Sequence, residues 1–375
     1  MRSKVQLLLC SQLPRLARLQ FAQLRLSGQP SRRIESPDAR HRANRNPHHA
    51  LMRIESLQGS ESFFVSPSPH ISTACKLLGE IHQQLDSIVL GKSGVTRLAV
   101  TCLLAQGHLL IEDAPGLGKS TLALALAKTF GLAYNKVPCT NDLLPSDLLG
   151  LSIWDGTAQA MRFTPGPIFA QLLLADELNR APSKTQSALL EAMEERQVSV
   201  DGVSRNLPSP FFVIATQNPL DQVGVSPLPE SQMDRFMMRL SLGFPSAAAE
   251  IELLRGGDRR VNALALTPVL TGDALQKLQR LIEQIRVSEP LLIYVQQLLA
   301  ASRTGATRPL SPRAGLALLR ASRAEALQSG RDHVLPDDVQ AVWSAVVSHR
   351  VGASHDNLTK GVQLAQAVLM GVPAP

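Results

Sequence analysis

The chain has 375 residues, 44% hydrophobic and 4% aromatic, with 38 basic and 31 acidic side chains and a net charge of +7; that length suffices for one large domain and a smaller one. It contains no run of 18 apolar residues, no Cys-x-x-Cys among its four cysteines and no His-Glu-x-x-His among its nine histidines, which excludes a membrane-spanning helix, a zinc ribbon and a zincin site and fits a reducing cytoplasm. The charge is uneven: residues 1–51 carry ten Lys or Arg against Glu35 and Asp38, or +8, which leaves −1 for the other 324 and no global excess for a nucleic-acid partner.

Residues 1–70 read as a basic N-terminal tail without a core-forming period. Three readings compete for its first fifty residues: a disordered basic arm, an Arg-rich transit-type presequence, or in-frame text upstream of a true start near Met52.

The next organised segment is His108-Leu-Leu-Ile-Glu-Asp113, a short buried strand, followed by Ala114-Pro-Gly-Leu-Gly-Lys-Ser120 and a helical run from Thr121 to Lys128. Strand, Gly-rich turn and helix in that order form the context of a phosphate-binding loop. Asp113, Ala114, Pro115, Gly116, Leu117, Gly118, Lys119, Ser120 and Thr121 are the candidate nucleotide-binding residues. The two glycines let backbone N–H groups curl around phosphate oxygens at a helix N-terminus. Lys119 is expected on the β- and γ-phosphates of ATP and Ser120 on Mg²⁺. Asp113 stands where the general pattern has glycine.

Asp155-Gly156 and Asp201-Gly202 are hairpin signals. Between them, residues 168–177 read as a hydrophobic strand ending in Asp176 and Glu177. Asp176 suits Mg²⁺, and Glu177 suits a general base for water; alone, the pair would read as solvated carboxylates at a strand end. A helix is expected over Lys184–Met193, and a buried strand over Phe211–Pro219 carries Asn218 at its tip, either to orient the attacking water or simply to turn the chain before proline. Arg235 precedes a strand over Phe236–Leu242 and is either a surface ion-pair residue or an arginine finger for a neighbouring subunit. From Pro245 onward helical periods dominate. Leu275, Leu278, Ile282 and Ile285 mark one helix, Leu292–Leu299 another, and Ser311-Pro312 opens a third as N-cap and first residue. Arg313 then lies in a first helical turn, either solvated or facing phosphate. Residues 246–375 are +3 and residues 52–246 are −4, a modest asymmetry that either helps the C-terminal region dock on a neighbouring body or, the reading favoured, reflects ordinary solvated faces.

These stretches in this order resemble the MoxR family of AAA+ ATPases. The resemblance rests on Leu110–Lys119, Asn141-Asp-Leu-Leu-Pro-Ser-Asp147, Gly166–Ala170, Ala175–Ala181, Lys184–Glu195, Ala215–Pro219, Pro227–Phe236, Ser311–Ala314 and Gly330–Val339, and covers about Ala74 to Val351. It implies an α/β fold: an AAA+ P-loop NTPase core (71–245) with a parallel sheet flanked by helices, then a small all-α lid (246–375). It also implies Walker A at Gly116, Gly118, Lys119 and Ser120, and Walker B at Asp176 and Glu177. Asn218 would be sensor 1, Arg235 the arginine finger and Arg313 sensor 2, acting in cis or in trans. Family likeness further implies a homo-oligomeric, commonly hexameric ring, chaperone-like remodelling of protein clients and a von Willebrand factor A domain partner. Asn141, where proline is usual, and Gly224-Val-Ser226 depart from the family pattern outside the catalytic set. Two other outputs use the same module: a nucleic-acid motor, and a nucleotide-gated scaffold with little turnover.

Overall fold

The computed structural model describes residues 69–218, 226, 228–304, 307–352 and 358–375; residues 1–68 of the expected tail, Met52 among them, and Gly224-Val225 lie outside them, while the last two residues assigned to the tail, 69 and 70, are helical. Two helices for which the sequence reading had no element come first, α1 (Pro69–Ile88) and α2 (Ser93–Leu104). Then follow β1 (Leu109–Glu112), α3 (Lys119–Thr129), β2 (Tyr134–Pro138), α4 (Pro145–Leu149), the hairpin β3 (Gly150–Asp155) with β4 (Ala160–Pro165), β5 (Leu172–Asp176) and α5 (Ser183–Glu195). A second hairpin, β6 (Gln197–Val200) with β7 (Val203–Asn206), leads to β8 (Phe212–Gln217), α6 (Glu230–Met233) and β9 (Met238–Leu240). The rest is helical: α7 (Ala247–Arg255), α8 (Arg259–Leu264), α9 (Gly272–Glu283), α10 (Glu289–Thr304), α11 (Pro312–Gln328), α12 (Pro336–Val351) and α13 (Leu358–Met370).

Five strands pair in parallel in the order β2-β5-β8-β1-β9. Alternate residues feed two apolar clusters, as a sheet covered on both faces requires. Leu109, Ile111, Leu172, Leu174, Phe212 and Ile214 pack with α1, α2, α3 and the C-terminal helices. Leu110, Leu173, Ala175, Val213 and Ala215 pack on the opposite face with α5. Parallel pairing places all five carboxyl ends on one edge, and the order reverses around β1, where α/β sheets bind ligands. All described residues belong to one compact unit, and no described helix is long and apolar enough to cross a membrane.

Both hairpins form where Asp-Gly signals them, with Asp201 and Gly202 at φ 53° and 74°. On one face of the first hairpin the cross-strand pair Trp154 and Met161 is 64% and 62% exposed. Two strands are shorter than the sequence suggests. The segment expected from Ile168 starts only at Leu172, because Gly166 and Ile168 hydrogen-bond to the last residues of α4 instead: Gly166 N–H to Leu149 O at 3.4 Å and Ile168 N–H to Leu148 O at 3.2 Å. There a Cβ on Gly166 would lie 2.3 Å from Leu148 O, so only glycine permits the approach. The strand expected over 236–242 keeps only its centre; Phe236 closes the turn from Met233, and residues 241–243 bond to the side chain of Asp113. The helix read from Leu292 begins earlier, at Glu289, with Pro290 in its first turn.

Candidate functional site

Register brings the candidate residues together. Glu112 of β1 aligns with Gln217 of β8, and Ala215 of β8 with Ala175 of β5. The next residues, Asp113, Asn218 and the Asp176-Glu177 pair, therefore leave the sheet side by side. Asp113 N–H to Gln217 O at 3.2 Å continues the ladder one step beyond β1.

Gly116 and Gly118 have φ 83° and 88° and little around a built Cβ, so the left-handed backbone, not crowding, calls for glycine. Gly118 is the N-cap of α3 and no side chain caps that end, which leaves its first N–H groups directed out of the helix. Lys119 folds back on its own loop, with Nζ 2.5 Å from Asp113 O and 2.9 Å from Ala114 O. Partial burial lowers its pKa against the opposing pull of Asp113, Asp176 and Glu177.

The Asp113 carboxylate is buried and turned to the segment after β9, accepting from Ser241 Oγ (2.7 Å), Leu242 N–H (2.5 Å) and Gly243 N–H (3.3 Å). Its backbone leads into the Gly-rich turn, while its side chain ties that turn to residues 241–243.

Both Asp176 oxygens are engaged: Oδ1 accepts from Thr216 Oγ (2.7 Å) and Oδ2 from Lys136 Nζ (2.6 Å). Burial opposes ionisation, but the Lys136 and Thr216 hydrogen bonds and the nearby Lys136 and Lys119 charges outweigh it and hold the carboxyl below its ordinary range. Thr216 Oγ also accepts the Glu177 N–H at 2.9 Å, so one hydroxyl orients both acids. Glu177 has φ 58°, a left-handed conformation costly for a side chain with Cβ. The carboxylate it projects pairs with Arg180 at 2.8 Å. Gln186 of α5 donates to the carbonyls of Leu178, Ala181 and Ser226 and pins the turn after the acids. Asn218 is buried beside them.

Ser120 and Asp176 offer hard oxygen donors on one cation, since the Lys136 ammonium lies 3.3 Å from Ser120 Oγ as well as against Asp176. That donor set fits Mg²⁺, which takes one or two protein oxygens and completes its shell with water and phosphate. Among the described residues no cluster of three His, Cys, Asp or Glu could form an all-protein metal cage.

Arg235 and Arg313 form a second group. Glu194, in the last turn of α5, pairs with Arg235 Nε at 3.2 Å through one oxygen and with Arg313 at 2.7 Å through the other. Arg313 is in the first turn of α11, behind the expected Ser311 cap and Pro312, and is 53% exposed. The segment carrying Arg235 is gripped by the C-terminus of α12. Arg350 bonds to the Asp234 carboxylate at 2.7 Å and to the carbonyls of Phe236 and Met237, and His349 bonds to Phe236 O. Sequence reasoning missed Lys136, Arg180, Glu194, Thr216 and Arg350. Arg180, Glu194 and Thr216 lie inside the motif stretches that carry the resemblance, but nothing in their spacing marks a role; Lys136 and Arg350 carry no local signal, being ordinary basic residues in a strand and a helix.

The sequence model of the ATPase family associated with various cellular activities (AAA) matches residues 108–238, and that of the AAA lid domain matches residues 300–367. YeaC of Bacillus subtilis, itself uncharacterized, is 39% identical over 78% of this chain and 92% of its own. The chaperone MoxR1 of Mycobacterium tuberculosis is 37% identical over 75% of this chain and 79% of its own. A crystal structure of a candidate ATPase from Cytophaga hutchinsonii superposes with a TM-score of 0.72 and 31% identity, covering 81% of this chain and 97% of that one.

Proposed function

This chain belongs to the MoxR family of AAA+ ATPases, and on that premise we propose that it is a Mg²⁺-dependent ATP hydrolase that remodels or matures protein clients. One observation supports the reading above all. A Gly-rich turn with its lysine, an Asp-Glu pair and a buried asparagine leave three neighbouring parallel strands at the same edge.

In this reading the N–H groups of the turn and of the first turn of α3 bind phosphate oxygens, and Lys119 exchanges its two carbonyls for the β- and γ-phosphates. Ser120 and Asp176 hold Mg²⁺, which when bound offsets phosphate charge. Glu177 leaves Arg180 and takes the proton of a water oriented by Asn218. Arg235 and Arg313 stabilise charge developing on a γ-phosphate, Arg235 reaching that of a neighbouring subunit in a homo-oligomeric, hexameric ring. Residues 246–375 act as a lid that moves against the 71–245 core and delivers the mechanical output. The chaperone name of one relative supports a protein client, which a von Willebrand factor A domain partner would help select, in the cytoplasm.

Calorimetric titration with ATP and Mg²⁺ tests the phosphate loop. Lys119→Ala is expected to weaken binding by at least about tenfold, the scale of one lost charge-assisted contact. Unchanged affinity would contradict the assignment.

A further inference from the structure

Lys136 belongs to β2, at the edge of the sheet, and pairs in register with Leu174, two residues before Asp176. Parallel neighbours in register share a face, and Leu174 faces the cluster that contains α3. The lysine side chain runs up that face and sets its ammonium between two oxygens from different elements, Asp176 Oδ2 at 2.6 Å on β5 and Ser120 Oγ at 3.3 Å on α3. Those are the two side chains assigned above to Mg²⁺. Thr216 holds the other Asp176 oxygen, so the ammonium occupies the cation position between Asp176 and Ser120. Lys136 is 36% exposed and its stem is flexible, so it can leave toward solvent without disturbing the sheet.

We propose that Lys136 is a stand-in cation: it keeps Ser120 and Asp176 positioned and the Asp176 charge neutralised while no metal is bound, and it yields its place when Mg²⁺ arrives with nucleotide. The lysine thereby sets how strongly nucleotide binding depends on Mg²⁺. This inference rests on the reading of Ser120 and Asp176 as the metal corner. Ammonium and metal compete for the same oxygens, so removing the ammonium leaves the Asp176 carboxylate with only the more distant Lys119 charge, and the metal then screens it at contact. Nucleotide affinity without metal should fall, and affinity with metal should hold or rise.

The test is calorimetry of the full-length protein with the non-hydrolysable analogue AMP-PNP, in excess Mg²⁺ and in EDTA. For Lys136→Met the ratio of the two affinities should widen by about three- to tenfold, the range for a partly exposed, charge-assisted pair. Lys136→Arg, which keeps the charge, should stay near the unmodified protein. In an Asp176→Asn background, Lys136→Met should no longer change the ratio, because the two residues act as a pair. Equal losses in both arms would make Lys136 a plain phosphate contact and overturn the proposal, as would an unchanged or narrowed ratio. Absence of analogue binding by the unmodified protein would instead overturn the ATPase reading, and the inference with it.

Discussion

An acid at the entrance of a phosphate-binding loop would repel its ligand unless its charge were engaged elsewhere, and the carboxylate of Asp113 is engaged by Ser241 and the N–H groups of Leu242 and Gly243. Asp113→Ala leaves those groups buried or half-buried without their acceptor, and is expected to lower unfolding stability by about 2–3 kcal/mol, as for hydrogen bonds to a buried charged acceptor. Denaturant titration measures this; intact stability with lost nucleotide affinity would show instead that Asp113 acts on the ligand. Lys119, Asp176 and Asn218 were legible because each closes a local pattern of strand and turn. Thr216 and Lys136 were not, because their contacts to Asp176 arise across neighbouring strands, and a register is invisible until the strands are paired. Glu194 meets Arg313 across 119 residues of sequence.

Among the elements, β1 lies between β8 and β9, and the residue just before it is a buried histidine. His108 Nδ1 accepts the Val213 N–H at 3.0 Å, which leaves Nε2–H to donate to Met193 O at 3.2 Å. This fixes a neutral tautomer, and burial pushes the pKa down to about 4 from 6.5. The unfolded chain therefore takes up the proton first. Stability is full above pH 6.5 and is lost as pH falls toward 4. His349, buried against Phe236 O and shifted the same way, adds to the loss. Between about pH 7.5 and about pH 5 the His108 contribution is about 2 kcal/mol. Chemical denaturation at both values should show a flatter pH dependence for His108→Gln; equal slopes would contradict this. Arg350 forks between a carboxylate and backbone carbonyls in a way lysine cannot reproduce. Arg350→Lys should cost about 2–3 kcal/mol in the same assay, and no change would mean the grip on residues 234–237 is dispensable. Helices over 184–193, 274–285 and from Ser311 were legible from period and caps. Strand ends were not, because residues 166–169 and 241–243 are apolar or neutral yet bond outside the sheet.

Across the molecule, basic residues of the helical region reach the segment before β9: Arg308 to Glu230, Arg350 to Asp234, and Arg313 to Arg235 through Glu194. Movement of that region would displace the candidate finger with it, which is how nucleotide state could be passed on mechanically. The overall α/β plan was legible because the motifs occur in a fixed order with alternating strands and helices. The coupling was not, because it consists of long side chains meeting across the fold. Residues 52–375 carry a net charge of −1, and on that ground added duplex DNA is expected to leave turnover unchanged; stimulation that falls steeply with salt would favour a nucleic-acid motor. The most direct test of the central claim is steady-state phosphate release from ATP by the full-length protein and by Glu177→Gln. Loss of the base should slow release by about 10²–10⁴-fold while nucleotide affinity is kept; equal rates in the two proteins would contradict the account.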